Sequence, residues 1–174
     1  MSKLLVIADP HFRYKESLGD ERKLFKEQKL MDIVKIVCSS PDIIGLCILG
    51  DLFENPNPNE ELRKTFFQII SPLFAYKKYL VFIADNHDST ATHHCFSADS
   101  EIPYEYMKIF TGTEIKEIQL PGFQNLVAVS WYSSLNQNEF YSKCKDKFVL
   151  WHLELQGATM NNEMECDRGI SPQL

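Results

Sequence analysis

Apolar positions in this chain fall in short runs, each stopped by a polar cluster. Leu4-Leu5-Val6-Ile7-Ala8 ends at Asp9-Pro10-His11, as a buried strand ends at a turn. From Glu21 to Ser39, Leu24, Phe25, Ile33, Val34, Ile36 and Val37 recur at roughly helical spacing with charges between them, which predicts a helix. Ser39-Ser40-Pro41-Asp42 breaks it. Ile43 to Leu49 predicts a second strand, stopped by Gly50-Asp51. After a loop, Asn57 reads as a helix cap, Pro58 as the first helical position and Glu60 as the capping-box partner, for a helix running to about Phe74. Tyr79 to Ala84 predicts a third strand, ending at Asp85-Asn86-His87-Asp88. Further on, the pattern predicts a short helix near Tyr104 to Phe110 and strands near Glu114 to Gln119, Leu126 to Trp131 and Lys147 to His152, with Asn138 to Lys145 helical. Strands alternating with helices imply an α/β sheet with covered faces.

Length and composition narrow the class. The 174 residues predict a single domain, 1–174, able to bury one sizeable core. The 18 Lys and Arg are outnumbered by 24 Asp and Glu, giving a net charge of -6. A basic field over the whole surface, as a passive DNA binder would carry, is absent. An enzyme that recruits cations locally is less affected by that balance. The five cysteines are widely spaced with no Cys-x-x-Cys pair, which disfavours a zinc ribbon or redox dithiol. Cys38 and Cys47 sit in apolar runs and read as small core residues. Leu4 to Ala8 is too short for a signal peptide, and no run approaches a membrane span, so a reduced, cytoplasmic protein is expected.

The chemistry lies in where the polar clusters fall. Asp9-Pro10-His11, Gly50-Asp51-Leu52-Phe53-Glu54 and Asn86-His87-Asp88 each follow a predicted strand, and His152 closes a later one. Ligands of open α/β sheets sit outside the carboxyl ends of the strands, so the four clusters are expected to converge on one rim. Asp, His and Asn are oxygen and nitrogen donors for divalent metals. Carboxylates gathered on one rim repel unless a cation lies between them. Two cations sharing a carboxylate can clamp a phosphate and acidify a water, while a further histidine can protonate a leaving alkoxide.

In this order the clusters resemble the signature of the calcineurin-like metallophosphoesterases, an Asp-x-His, a Gly-Asp, an Asn-His-Asp/Glu and a later His. Within that superfamily the chain looks like the SbcD-type nuclease subunits, especially those encoded by tailed phages. His152-Leu153-Glu154-Leu155-Gln156-Gly157, Val129-Ser130-Trp131 before it, and Cys166-Asp167-Arg168-Gly169-Ile170 carry that likeness. The resemblance implies β-sandwich sheets flanked by helices, with a metal site at the carboxyl ends of the strands. It implies two divalent ions, Mn²⁺ being expected: Asp9 and His11 on the first, Asp51 bridging, Asn86 and His152 on the second, and His87 as the proton donor or phosphate-orienting residue. It also implies DNA as substrate, a coiled-coil SbcC-type ATPase as partner, and a homodimer.

The sequence departs from this pattern twice. Asp85 stands where the family has glycine before Asn-His, adding a negative charge near the metals. The family's last motif, Gly-His-x-His, is absent, and no histidine follows His152. Each ion is therefore one imidazole short, and the second is expected to bind more weakly. The chain looks as though it stops just before that motif, so a downstream fragment supplying the histidines is one expected partner, and little nuclease activity is expected from these residues alone. His93-His94 reads as a solvated loop bordering the site, with His93 a candidate substrate contact, as is Arg13 beside Tyr14 and Lys15. Lys77-Lys78 and Lys143, Lys145 and Lys147 are small basic groups, usually just solvated. Glu54 reads as supporting or solvent-facing, and Trp131 and Trp151 as core. The leading functional reading is a metal-dependent DNA nuclease subunit. The alternatives are a phosphoesterase acting on nucleotides or phosphoproteins, or a non-catalytic binding module on the same fold.

Overall fold

The computed structural model describes residues 2–12, 19–85, 88, 94–96, 105–111, 115–129 and 137–152. They form strands β1 (Lys3–Ala8), β2 (Ile43–Leu49), β3 (Tyr79–Ile83), β4 (Met107–Phe110), β5 (Lys116–Glu117), β6 (Leu126–Val129) and β7 (Phe148–Trp151). Helices α1 (Gly19–Ser39), α2 (Glu60–Ala75) and α3 (Gln137–Cys144) lie between them. No helix of the described residues is long and apolar enough to cross a membrane.

Strands β1 to β4 make an all-parallel sheet whose spatial order is the chain order. Parallel crossovers are right-handed. Crossovers that all step the same way therefore land on one face, and α1 and α2 do so. Leu30, Val34 and Val37 of α1 and Leu62, Phe66, Ile69, Ile70 and Leu73 of α2 share one core with Leu46, Ile48, Leu80 and Phe82 of the sheet. The other face is left to a second sheet, β5-β6-β7, in which β5 runs antiparallel and β7 parallel to β6. Cys47, Val81 and Ile83 point into that second layer and meet Ile118, Leu120, Leu126 and Ala128. The alternate residues Val127 and Val129 face outward and are covered by Phe140 and Cys144 of α3, with Trp151 beside them. The architecture is thus helices, parallel sheet, mixed sheet, helix.

Most elements follow the periodicity, with two corrections. The segment near Tyr104 to Phe110 supplies strand β4 in place of a short helix. Its four residues pair along Leu80 to Ile83, and Leu80 N–H donates to the Tyr106 carbonyl at 2.8 Å. A run of that length lacks the turns a helix needs, and pairing beside β3 satisfies its backbone. The cap of α2 is Asn59, not Asn57: its Oδ1 accepts the Leu62 N–H at 2.7 Å. Asn57 instead donates its own N–H to Asn55 Oδ1, and Glu60 pairs with Lys64 one turn on. Near the other end of α2, Pro72 has no N–H for the Gln68 carbonyl, and Ser71 Oγ donates to that carbonyl at 3.0 Å.

Candidate metal centre

Three loops at the carboxyl ends of β1, β2 and β3 are laced side by side. His11 and Phe12 donate their N–H groups to the carbonyls of Asp51 and Leu52, at 2.8 and 2.7 Å. Gly50 N–H donates to the Ile83 carbonyl. Leu52 and Phe53 N–H groups donate to opposite oxygens of the Asp88 carboxylate, at 3.2 and 3.0 Å. Lys26 of α1 reaches across to the His11 carbonyl. Beneath this lacing, Phe12, Phe53 and Phe96 are buried and meet Phe66 of α2 edge-on or stacked, with ring centroids 5.6–6.0 Å apart. Each aromatic follows a polar cluster within two residues: His11-Phe12, Asp51-Leu52-Phe53 and His94-Cys95-Phe96. That repeated phrase was the available signal for the loop anchors. Asp88, too, was visible only as part of a cluster, with no role attached to it.

This support lets the rim hold unusual backbone. Asp9, His11 and Asp51 all have positive φ, between 42 and 50°, as has Gly50. Non-glycine residues there cost about 1–3 kcal/mol each and cluster at functional sites. Gly50 has a second reason to be glycine: a Cβ built on it would overlap the His152 imidazole.

The rim gathers Asp9, His11, Asp51 and His152, as the sequence predicts, together with Glu54 and Asp85. One donor atom each of Asp9, Asp51 and His152 falls within 4.8 Å of the others. His152 Nε2 lies 3.2 Å from Asp9 Oδ1 and its Nδ1 lies 3.5 Å from Asp85 Oδ2. His11 Nε2 lies 3.3 Å from Asp51 Oδ2 and its Nδ1 lies 3.5 Å from Glu54 Oε1. Both imidazoles are thus flanked by carboxylates on both ring nitrogens. The grouping differs from the expected one: His152 associates with Asp9 as well as Asp51, and His11 with Asp51 and Glu54. Asn86, His87, Arg13 and His93 lie outside the described residues, as does Trp131. Trp151 packs on Phe140 at 4.9 Å, and Cys47 is fully buried, as expected of core residues. Asp85 does not adopt the left-handed backbone that would call for glycine.

Electrostatically the rim is overloaded with negative charge. Asp51 is pushed up to about 8, first by burial, then by its hydrogen bond to Asp85 and the charges of Asp85, Asp88 and Asp9. Asp88 is pushed up to about 7, chiefly by burial, with Asp85 adding to the rise and the Phe53 and Leu52 amides opposing it. Asp51 Oδ1 and His152 Nδ1 are buried without a hydrogen-bond partner among the described residues. Buried acceptors left in that state are costly. A divalent cation between them fits the donor set: it would ligate both atoms and relieve the carboxylate repulsion.

No family model matches the chain. No curated protein gives a significant match.

Proposed function

We propose that this chain is a divalent-metal-dependent phosphodiesterase of the calcineurin-like metallophosphoesterase type, a DNA nuclease subunit similar to the SbcD class. The observation that carries the reading is the convergence of Asp9, Asp51 and His152 at the ends of three strands, with orphaned buried donor atoms on Asp51 and His152. The layering of two sheets between helices agrees with the architecture the resemblance implies. The site supports a divalent cation; the phosphodiester chemistry and DNA as the substrate rest on the resemblance.

On this reading, as the resemblance implies, Asp9 and His11 would hold one ion and Asn86 and His152 the other, with Asp51 serving both. Mn²⁺, when bound, supplies Lewis-acid charge to a phosphate and acidifies a water. The residues of the chain do the rest. Glu54 and Asp9 lie against His11 Nδ1 and His152 Nε2, orienting the rings. Asp88 fixes the Asp51 loop through two amides, and by the resemblance His87 would give a proton to the departing sugar oxygen.

The test is Mn²⁺ titration by calorimetry beside hydrolysis of bis-p-nitrophenyl phosphate and of linear and single-stranded DNA. We expect Mn²⁺ binding, with slow phosphodiester hydrolysis that Asp51→Asn abolishes. No Mn²⁺ binding, or binding and hydrolysis indifferent to Asp51→Asn, overturns the proposal. Turnover of the small diester without DNA cleavage would retain the chemistry and reject the substrate.

A further inference from the structure

Asp85 occupies the position at which the resemblance expects glycine, and its side chain is only 3% exposed. Resting on the two-metal reading above, the geometry points to Asp85 as a protein ligand of the second divalent ion, acting with Asp51 and His152. Its carboxylate would then add an oxygen donor beside the His152 imidazole.

Three observations converge. First, the two carboxylates that follow β3 have different duties. Both oxygens of Asp88 are engaged by the Leu52 and Phe53 amides, so that group is structural. Asp85 takes the Asp88 N–H on Oδ1 at 3.4 Å and turns Oδ2 toward His152. Second, Asp85 Oδ2 faces one of the orphaned atoms of the rim, His152 Nδ1. His152 Nδ1 and Asp51 Oδ1 are buried without a hydrogen-bond partner among the described residues. Asp9 lies 3.2 Å from the other nitrogen of the same ring, Nε2. An Nε2–H facing that carboxylate leaves the Nδ1 lone pair for a metal. Third, the spacing suits shared coordination. Two donors each about 2.1 Å from one ion stand roughly 3–3.5 Å apart for octahedral to tetrahedral angles. Asp85 Oδ2 and His152 Nδ1 are 3.5 Å apart.

The consequence is a change in metal taste. Two carboxylates and one imidazole make an oxygen-rich site, which suits Mn²⁺ or Mg²⁺ better than a site built mainly of imidazoles.

Calorimetry with Mn²⁺, together with the electron paramagnetic resonance signal of a spin-coupled Mn²⁺ pair, tests this on the full 174-residue chain. The unaltered chain should take up two Mn²⁺ and show the coupled signal. Asp85→Asn keeps an acceptor for the Asp88 N–H and should retain one Mn²⁺ while weakening the second at least about tenfold, with the coupled signal lost. Asp42→Asn, a carboxylate that pairs with Lys3 before the start of β2 and so lies away from the rim, should keep two. Two ions at unchanged affinity in Asp85→Asn overturn the inference and leave the phosphodiesterase reading standing. A single ion in the unaltered chain also overturns it, and none at all removes both. Should Asp85→Asn fail to fold, anomalous scattering from Mn²⁺ soaked into crystals of the unaltered chain decides. A second peak within about 2.5 Å of the Asp85 carboxylate supports the assignment, and one farther away, or no second peak, overturns it.

Discussion

Asp51 and His152 offer donor atoms to the same small volume, yet the chain holds them by different means. Asp51 stands on a loop laced to both neighbouring loops by backbone hydrogen bonds and by the Asp88 carboxylate. Under that loop lies a core of phenylalanines anchored by α2. His152 stands at the end of β7, a strand of four residues paired on one side to β6. Its support is a small cluster of Val127, Val129, Cys144, Phe140 and Trp151. The carboxylate side of the centre is therefore built into the main core, while the imidazole side is borne by a thinner layer. Metal binding should fail in two distinguishable ways, with the fold in one case and without it in the other.

Removing Phe66 should have the largest effect. Its ring touches Phe12, Phe53, Phe67 and Phe96, so Phe66→Ala opens a cavity under all three loops. A loss of about 3–5 kcal/mol in a denaturant melt is expected, with Mn²⁺ binding lost alongside. Trp151→Ala, at a half-buried position, should cost less and lower Mn²⁺ affinity in a chain that still melts cooperatively. Equal losses of stability from the two variants would erase the distinction between the layers.

Gly50→Ala probes the seam between them. The new Cβ has to displace the His152 ring and must also sit at φ +59°. Stability should fall by roughly 1–2 kcal/mol, and Mn²⁺ affinity by about tenfold or more, as for other losses of ligand orientation. Calorimetry showing unchanged affinity would mean that His152 does not ligate from this position.

The smallest expected effect is the response to pH in metal-free protein. Asp51 and Asp88 both have folded-state values raised, to about 8 and about 7, over the unfolded carboxylate near 3.8. Their contribution is fully present below the unfolded value and is lost as pH rises through the folded values. The melting temperature should accordingly fall between pH 6 and 9, by roughly 5 °C. Mn²⁺ should restore it, and by more at pH 8 than at pH 6, because the ion replaces the protons. A melting temperature that rises over this window would reverse the sign of the argument.

Much of this was legible in the residue pattern. β2 spans the predicted Ile43 to Leu49, and β1, β3, α1 and α2 differ by a residue or two, because long apolar runs with clear stops leave little choice. β4 was missed because four mixed residues carry no readable period. The cap of α2 was misplaced because Asn57 and Asn59 flank one proline and both satisfy the rule; only the hydrogen bond chooses. In the site, Asp9, His11, Asp51 and His152 were readable because each ends a strand. Asp88 was legible as a motif member, but its two amide bonds cross from one loop to another, and sequence spacing says nothing of such long-range pairs. Asp85 stood out as a misfit; its closeness to His152 exists only once β3 and β7 are folded into different sheets.

The match between strand order and chain order in the parallel sheet also sets a timetable for biosynthesis. Each of β1 to β4 leaves the ribosome next to the open edge of the strand before it, so the sheet can grow without waiting for a distant partner. Asp9, Asp51 and Asp85 are then brought together by nascent chain that has not yet made His152. At about 5–20 residues per second, that histidine follows Asp85 by roughly 3–13 s. For that interval the newborn rim is a cluster of carboxylates with its imidazole still to come. Cellular divalent ions that meet it there would act as folding counterions before they act as anything else.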